Sequence, residues 1–184
     1  MQHLILPLDR DHDVAVRTLA AEVAEVVRTH DHLAPDLPHV TLLAFTGLDV
    51  ATVGAVVRAT VIGHPPFRIR AHGYGLWARS EPFGPTLHVP VVRDNAIDAL
   101  HRDLHQNLDQ AGAEIARWTV PELWSPHITV IAPVLDPREM GLVLAHLLRR
   151  DHPSWHIPVD KLEIVGGRTD RAQRGEVVCL RRGL

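Results

Sequence analysis

Residues 38–44 read Pro38-His39-Val40-Thr41-Leu42-Leu43-Ala44, and residues 126–132 read Pro126-His127-Ile128-Thr129-Val130-Ile131-Ala132. Four of the seven aligned positions are identical and the other three exchange one aliphatic residue for another, so the chain echoes itself. The β-branched and aliphatic content predicts a β-strand in each copy, with side chains alternating between faces. His39 and Thr41 then share one face while Val40, Leu42 and Ala44 take the other. His127 and Thr129 oppose Ile128, Val130 and Ala132 in the same way. One face builds core, and the other presents an imidazole beside a hydroxyl.

The chain has 14 histidines, so a histidine two residues before Ser or Thr also arises by chance, as at His152-Pro153-Ser154. That third instance has proline at its centre and lies in a Pro/Trp-rich stretch read as loop, which separates it from the two strand copies. Two strand copies predict two halves that face each other.

Working outward, Gln2–Leu8 reads as a first strand, and apolar residues Val14, Leu19, Val23, Val26 and Val27 predict an amphipathic helix over 13–29. After the first motif strand (39–45), Gly47 and Asp49 mark a turn and an N-cap for a helix over 50–61. Residues 67–77 read as a strand interrupted at Gly73 and Gly75, forming a hairpin with a strand over 86–92. Asp94 or Asn95 caps the next helix, carried by Ile97, Leu100, Leu104 and Leu108 and ended at Gly112. The second motif strand spans 127–132, and Asp136-Pro137 opens a helix to about Arg149. A loop with His152, Trp155 and His156 leads to two strands, 161–165 and 176–180. This order predicts an α+β fold over residues 1–184: one bilobal domain whose two-fold-related lobes, each a mostly antiparallel sheet with flanking helices, enclose a cleft.

At 184 residues and 46% apolar content the chain can bury a sizeable core. A net charge of −3 argues against coating long nucleic acid by charge, while leaving a small anion or a nucleic-acid end as ligand. Cys179 is the only cysteine, which rules out an internal disulfide and a cysteine-rich zinc site. No apolar run reaches membrane-spanning length and no signal peptide opens the chain, so a cytoplasmic monomer is expected. His30-Asp31-His32, Asp9–Asp13 and the pair His101/His105 are imaginable metal ligands, but loops and an exposed helix face account for them, and neither metal nor cofactor is expected.

Two imidazoles meeting across a two-fold suit displacement at phosphorus, one accepting a proton while the other gives one. Threonine hydroxyls and backbone amides would hold the phosphate oxygens. At these residues the chain resembles the two-histidine (2H) phosphoesterase superfamily, and within it the bacterial RNA 2′,3′-cyclic phosphodiesterase or 2′-5′ RNA ligase branch. The resemblance implies a bilobal α+β scaffold, catalytic His39 and His127, phosphate-binding Thr41 and Thr129, and a nucleotide or RNA end bearing a cyclic phosphate as partner. Which histidine is the acid stays open. Many members of that branch carry arginine where this chain has Ala132, so either another arginine serves the phosphate or the substrate differs. Arg79 and Arg168 are the candidate arginines, with a solvated surface as the alternative. Trp77, Phe83 and Trp124 are candidates to stack a base, with core packing as the alternative. Other readings are action on a different phosphodiester, such as an ADP-ribose cyclic phosphate, or a non-catalytic nucleotide- or RNA-binding relative.

Overall fold

In a computed structural model, which describes residues 1–29, 33–77, 86–131, 135–166 and 173–180, β1 (Gln2–Pro7) leads into α1 (Arg10–Val27). The helix begins three residues before the predicted start because Asp9, not Asp13, is its cap: the Asp9 carboxylate accepts from the His12 amide at 2.9 Å. Asp13 instead receives the Arg17 guanidinium one turn on, at 2.8 Å. The acidic cluster is therefore the start of a helix. Arg28 closes it in the left-handed region (φ 58°).

The chain continues through β2 (His39–Thr46), α2 (Val50–Val61), β3 (Phe67–His72), β4 (Gly75–Trp77) and β5 (Thr86–Pro90). Then come α3 (Asn95–Gln110), β6 (Glu114–Ile115), a 3₁₀ turn at Arg117–Thr119 and β7 (His127–Thr129). After α4 (Pro137–Leu147), β8 (Ser154–Val159), β9 (Lys161–Gly166) and β10 (Gln173–Cys179) complete it. The expected caps Asp49 and Asp94 are present, and at α4 Asp136 and Glu139 form a reciprocal capping box.

Among the described residues the main sheet runs β10-β9-β1-β2-β7-β5-β4, with β6 also on β2, and every pairing is antiparallel. Strands from the two halves meet where β2 pairs with β7. The predicted strand over 67–77 divides at Gly73 (φ 76°): β4 makes the expected hairpin with β5, while β3 leaves to pair with β8 in a separate two-stranded sheet. The stretch read as loop after α4 is thus a strand from Ser154 onward. Pro153 lies just outside it, and Pro158 is tolerated because β8, among the described residues, pairs with β3 alone and so is an edge strand.

One face of the main sheet meets the helices. Leu4, Leu6, Val40, Leu87, Val89, Ile128, Leu162 and Ile164 pack there with Val16, Leu19, Ile97, Leu104 and Val143 in one core. Ile5, Leu37 and Val165 form a separate small cluster, as the alternation of β1 and β9 requires if it belongs to the opposite face. His101 departs from the exposed position expected on α3. It is fully buried, stacked on Trp124 at 3.8 Å between ring centroids and 2° between planes, and its Nε2 donates to the Thr119 carbonyl at 3.0 Å.

Burial pushes His3 and His101 down to about 4 from the usual 6.5. Below pH 6.5 the unfolded chain takes up these protons first, so the folded state loses stability as pH falls from 6.5 toward 4. Urea midpoints measured across that window will fall with pH, and the slope will be shallower in His101→Leu, whatever that substitution does to stability at pH 7.

Candidate active site

Each motif histidine is fixed by the residue two positions before it. Pro38 and Pro126 hold the preceding residues, Leu37 and Ser125, in extended backbone. Their carbonyls lie against the imidazoles: His39 Nδ1 is 2.6 Å from Leu37 O, and His127 Nδ1 is 2.9 Å from Ser125 O. A carbonyl can only accept, so Nδ1 carries a proton in both rings and Nε2 is left for chemistry. Nε2 of His39 receives the Thr41 hydroxyl at 3.1 Å.

The two prolines are held alike. Leu8 N donates to Pro38 O at 3.4 Å, and Val91 N to Pro126 O at 3.0 Å. The flanking strands match as well, since Pro7 pairs with His39 and Pro90 with His127. The structure thus repeats the local build of β1–β2 in β5–β7.

Val40 faces Ile128 where β2 meets β7, and both are fully buried on the helix side. Antiparallel alternation then sets His39 beside Thr129 and Thr41 beside His127 on the opposite face, with the imidazoles at diagonal corners. Diagonal neighbours on a sheet stand about 7–8 Å apart, room for a phosphate with a hydrogen bond on each side. The structure therefore brings together the four residues singled out in the sequence.

Burial lowers the pKa of His39 from the usual 6.5, opposed by the bond to the Leu37 carbonyl. His127 is pushed down to about 4, first by burial and further by the neighbouring His88 and His39 imidazoles, against the bond to Ser125. An empty site therefore rests with both motif imidazoles neutral near pH 7.

Two residues on this face escaped the motif reading. His88 pairs across the sheet with Thr129 and packs its ring 5.2 Å from that of His127. His3, one strand beyond His39, is 8% exposed, its Nδ1 has no hydrogen-bond partner among the described residues, and Trp118 tilts over it at 6.4 Å. A sequence signal for His88 exists: Leu4-Ile5-Leu6-Pro7 echoes Leu87-His88-Val89-Pro90, with histidine where the first copy has isoleucine.

The remaining candidates divide. Trp77 packs edge-on against His127 at 4.3 Å and against His88 at 4.4 Å, lining the site. Trp124 is instead a core residue: 3% exposed, stacked on His101, with its indole N–H donated to the Thr41 carbonyl at 2.9 Å. It supports the motif strand from behind and has no face free for a base. Arg79, Arg168, Phe83, Ala132 and His30–His32 lie outside the described residues.

Among solved structures the fold is similar to that of TT0787 of Thermus thermophilus, with a TM-score of 0.68 and 18% identity over 98% of this chain and 97% of that one. It is also similar to E. coli LigT complexed with 3′-AMP, with a TM-score of 0.64 and 16% identity over 98% of each chain. A third likeness, to a protein described as a phosphoesterase, has a TM-score of 0.64 and 15% identity over 98% of each chain. No curated protein matches the chain. The family model described as the 2′-5′ RNA ligase superfamily matches residues 13–171, a span that contains both His-x-Thr strands, and the chain belongs to that superfamily.

Proposed function

We propose that the chain is a phosphodiesterase that opens 2′,3′-cyclic phosphates on RNA ends or small nucleotides, with His39 and His127 as its acid and base. The observation that carries this reading is the Val40–Ile128 register, which sets two imidazoles, each with its Nδ1 pinned to a carbonyl, around one phosphate-sized patch. One histidine takes a proton from water as the water oxygen bonds to phosphorus. The other protonates the 3′ oxygen as its bond to phosphorus breaks, leaving a 2′-phosphate. With a 5′-hydroxyl in place of water, the same ring opening would join two ends by a 2′-5′ link. Both proton transfers are supplied by side chains, so the reaction proceeds without a metal. Thr41 and Thr129, alternating with the imidazoles, would hold the non-bridging oxygens, a role their place on the same strands supports. E. coli LigT complexed with 3′-AMP, and with ATP and NADP+, supports a nucleotide-sized substrate for this fold.

Turnover of a 2′,3′-cyclic nucleotide in EDTA is the direct test. His39→Ala and His127→Ala will each lower kcat by about 10²–10⁴-fold, the usual worth of a positioned acid or base. Binding without turnover in the unaltered protein would favour a non-catalytic relative, and turnover only of an ADP-ribose cyclic phosphate would reassign the substrate.

Thr41→Val and Thr129→Val will raise KM more than they lower kcat, because a ground-state phosphate contact is lost while both proton carriers remain.

The reaction needs one motif histidine charged and one neutral. With both held below 6.5, kcat/KM should form a bell centred on the acid side of pH 6.5 and fall as pH rises through the higher of the two values. The kcat bell will lie at higher pH, since a bound phosphate anion favours the charged imidazole. A kcat/KM profile flat from pH 5 to 9 would remove the paired roles.

A further inference from the structure

We propose that His88 is a positioning residue for His127, clamping that imidazole together with Trp77. The two halves of the site are built alike, and the flanking strands can be superposed pair by pair: Pro7 opposite His39 corresponds to Pro90 opposite His127, and Ile5 opposite Thr41 corresponds to His88 opposite Thr129. At the first place the fold uses a fully buried isoleucine. At the second it buries an imidazole to 5% exposure, a costly exchange for packing alone.

The surroundings of His88 are shaped to receive it. Gly75 lies directly across β4 and β5 from it, and a Cβ built on Gly75 would fall within the imidazole, 2.8 Å from Cδ2 and Cε1 and closer still to Nε2. Only glycine leaves that space. Trp77, two residues on, contacts His88 at 4.4 Å and His127 at 4.3 Å, and the two imidazoles meet edge to face at 5.2 Å. Three rings thus fix one another, and the motif histidine is the member that reaches the phosphate patch.

Among the described residues, the titratable groups that face His127 are His88 from β5 and His39 from β2. Pro90 from β5, Thr41 from β2 and Trp77 from β4 do not titrate. A charge on His127 therefore meets repulsion from a second imidazole at the place where the His39 half of the site has Ile5. Burial is the main cause that keeps His127 neutral at a pH where an isolated imidazole would begin to charge, and the neighbouring His88 imidazole adds to it.

The test substitutes His88→Ile, which gives the second half the residue of the first, and separately Gly75→Ala, which displaces the His88 ring without altering any imidazole. The Cε1 proton of His127 is titrated by NMR in each protein, and kcat and KM for a 2′,3′-cyclic nucleotide are measured against pH. In His88→Ile the His127 midpoint will move to higher pH, and in Gly75→Ala, which pushes the ring from β4 toward β7, it will move to lower pH. The kinetic limb that belongs to His127 will move with it, and kcat will fall about tenfold while KM stays within about twofold, as for a lost transition-state alignment. The limb that moves identifies whether His127 is base or acid. A His127 midpoint unchanged in both variants overturns the proposal, even if activity drops through misfolding. The kinetic half rests on the reaction proposed above, but the titration does not. If the protein turns over no cyclic nucleotide and the midpoint still moves, the reaction fails and the clamp stands. If turnover proceeds and the midpoint stays, the clamp fails alone.

Discussion

The site depends on a single antiparallel contact, Val40 against Ile128. Side chains on a strand alternate with period two, so a slip of one residue in either strand would turn its imidazole and hydroxyl into the core and expose its aliphatic residues. Both residues are fully buried among side chains from β-strands and helices, and burying an aliphatic side chain of this size stabilises by about 1.5–3 kcal/mol. Exchanging it for a histidine and a threonine would leave polar groups unsatisfied as well. The helix-side core thus fixes the register, and the register fixes the chemistry on the other face. β7 is only three residues long, and the bond from the Trp124 indole to the Thr41 carbonyl adds a second tie between its approach and β2.

Repetition explains why so short a contact suffices. In both halves a proline precedes the histidine, an extended residue before it offers its carbonyl to Nδ1, and the amide after a second proline bonds the first proline's carbonyl. Each imidazole is therefore oriented by its own half before the halves meet. His88 uses a looser version of the same device, its Nδ1 3.4 Å from the carbonyl of Thr86 two residues back. What the halves do not share is the residue facing the motif threonine from the flanking strand, isoleucine beside one motif and histidine beside the other. That difference sets a second imidazole 5.2 Å from the ring of His127.

The motif was legible because its signal is local: seven residues, period-two alternation and an internal copy. Helices with strong caps were legible for the same reason, and Asp49, Asp94 and Asp136 all begin helices as their positions imply. Features set by distant partners were not. Ser154–Val159 has two prolines in or beside it, and its partner, Phe67–His72, lies more than 80 residues earlier, so nothing nearby in the chain marks it as a strand. His101 lies on a helix face that its neighbours in sequence mark as exposed, and Trp124 takes the core alternative rather than a base-stacking one; the two are buried stacked on each other. Trp124 then reaches the site only from behind, through its bond to the Thr41 carbonyl.

Burial of the imidazoles has a consequence for how the site meets its ligand. A neutral histidine cannot draw an anion by charge, so on the reading proposed above the described part of the site would meet a phosphate with hydroxyls and Nε2 atoms and without fixed positive charge. In the reaction proposed above, charge would be acquired on binding, because a phosphate anion raises the proton affinity of the nearest imidazole.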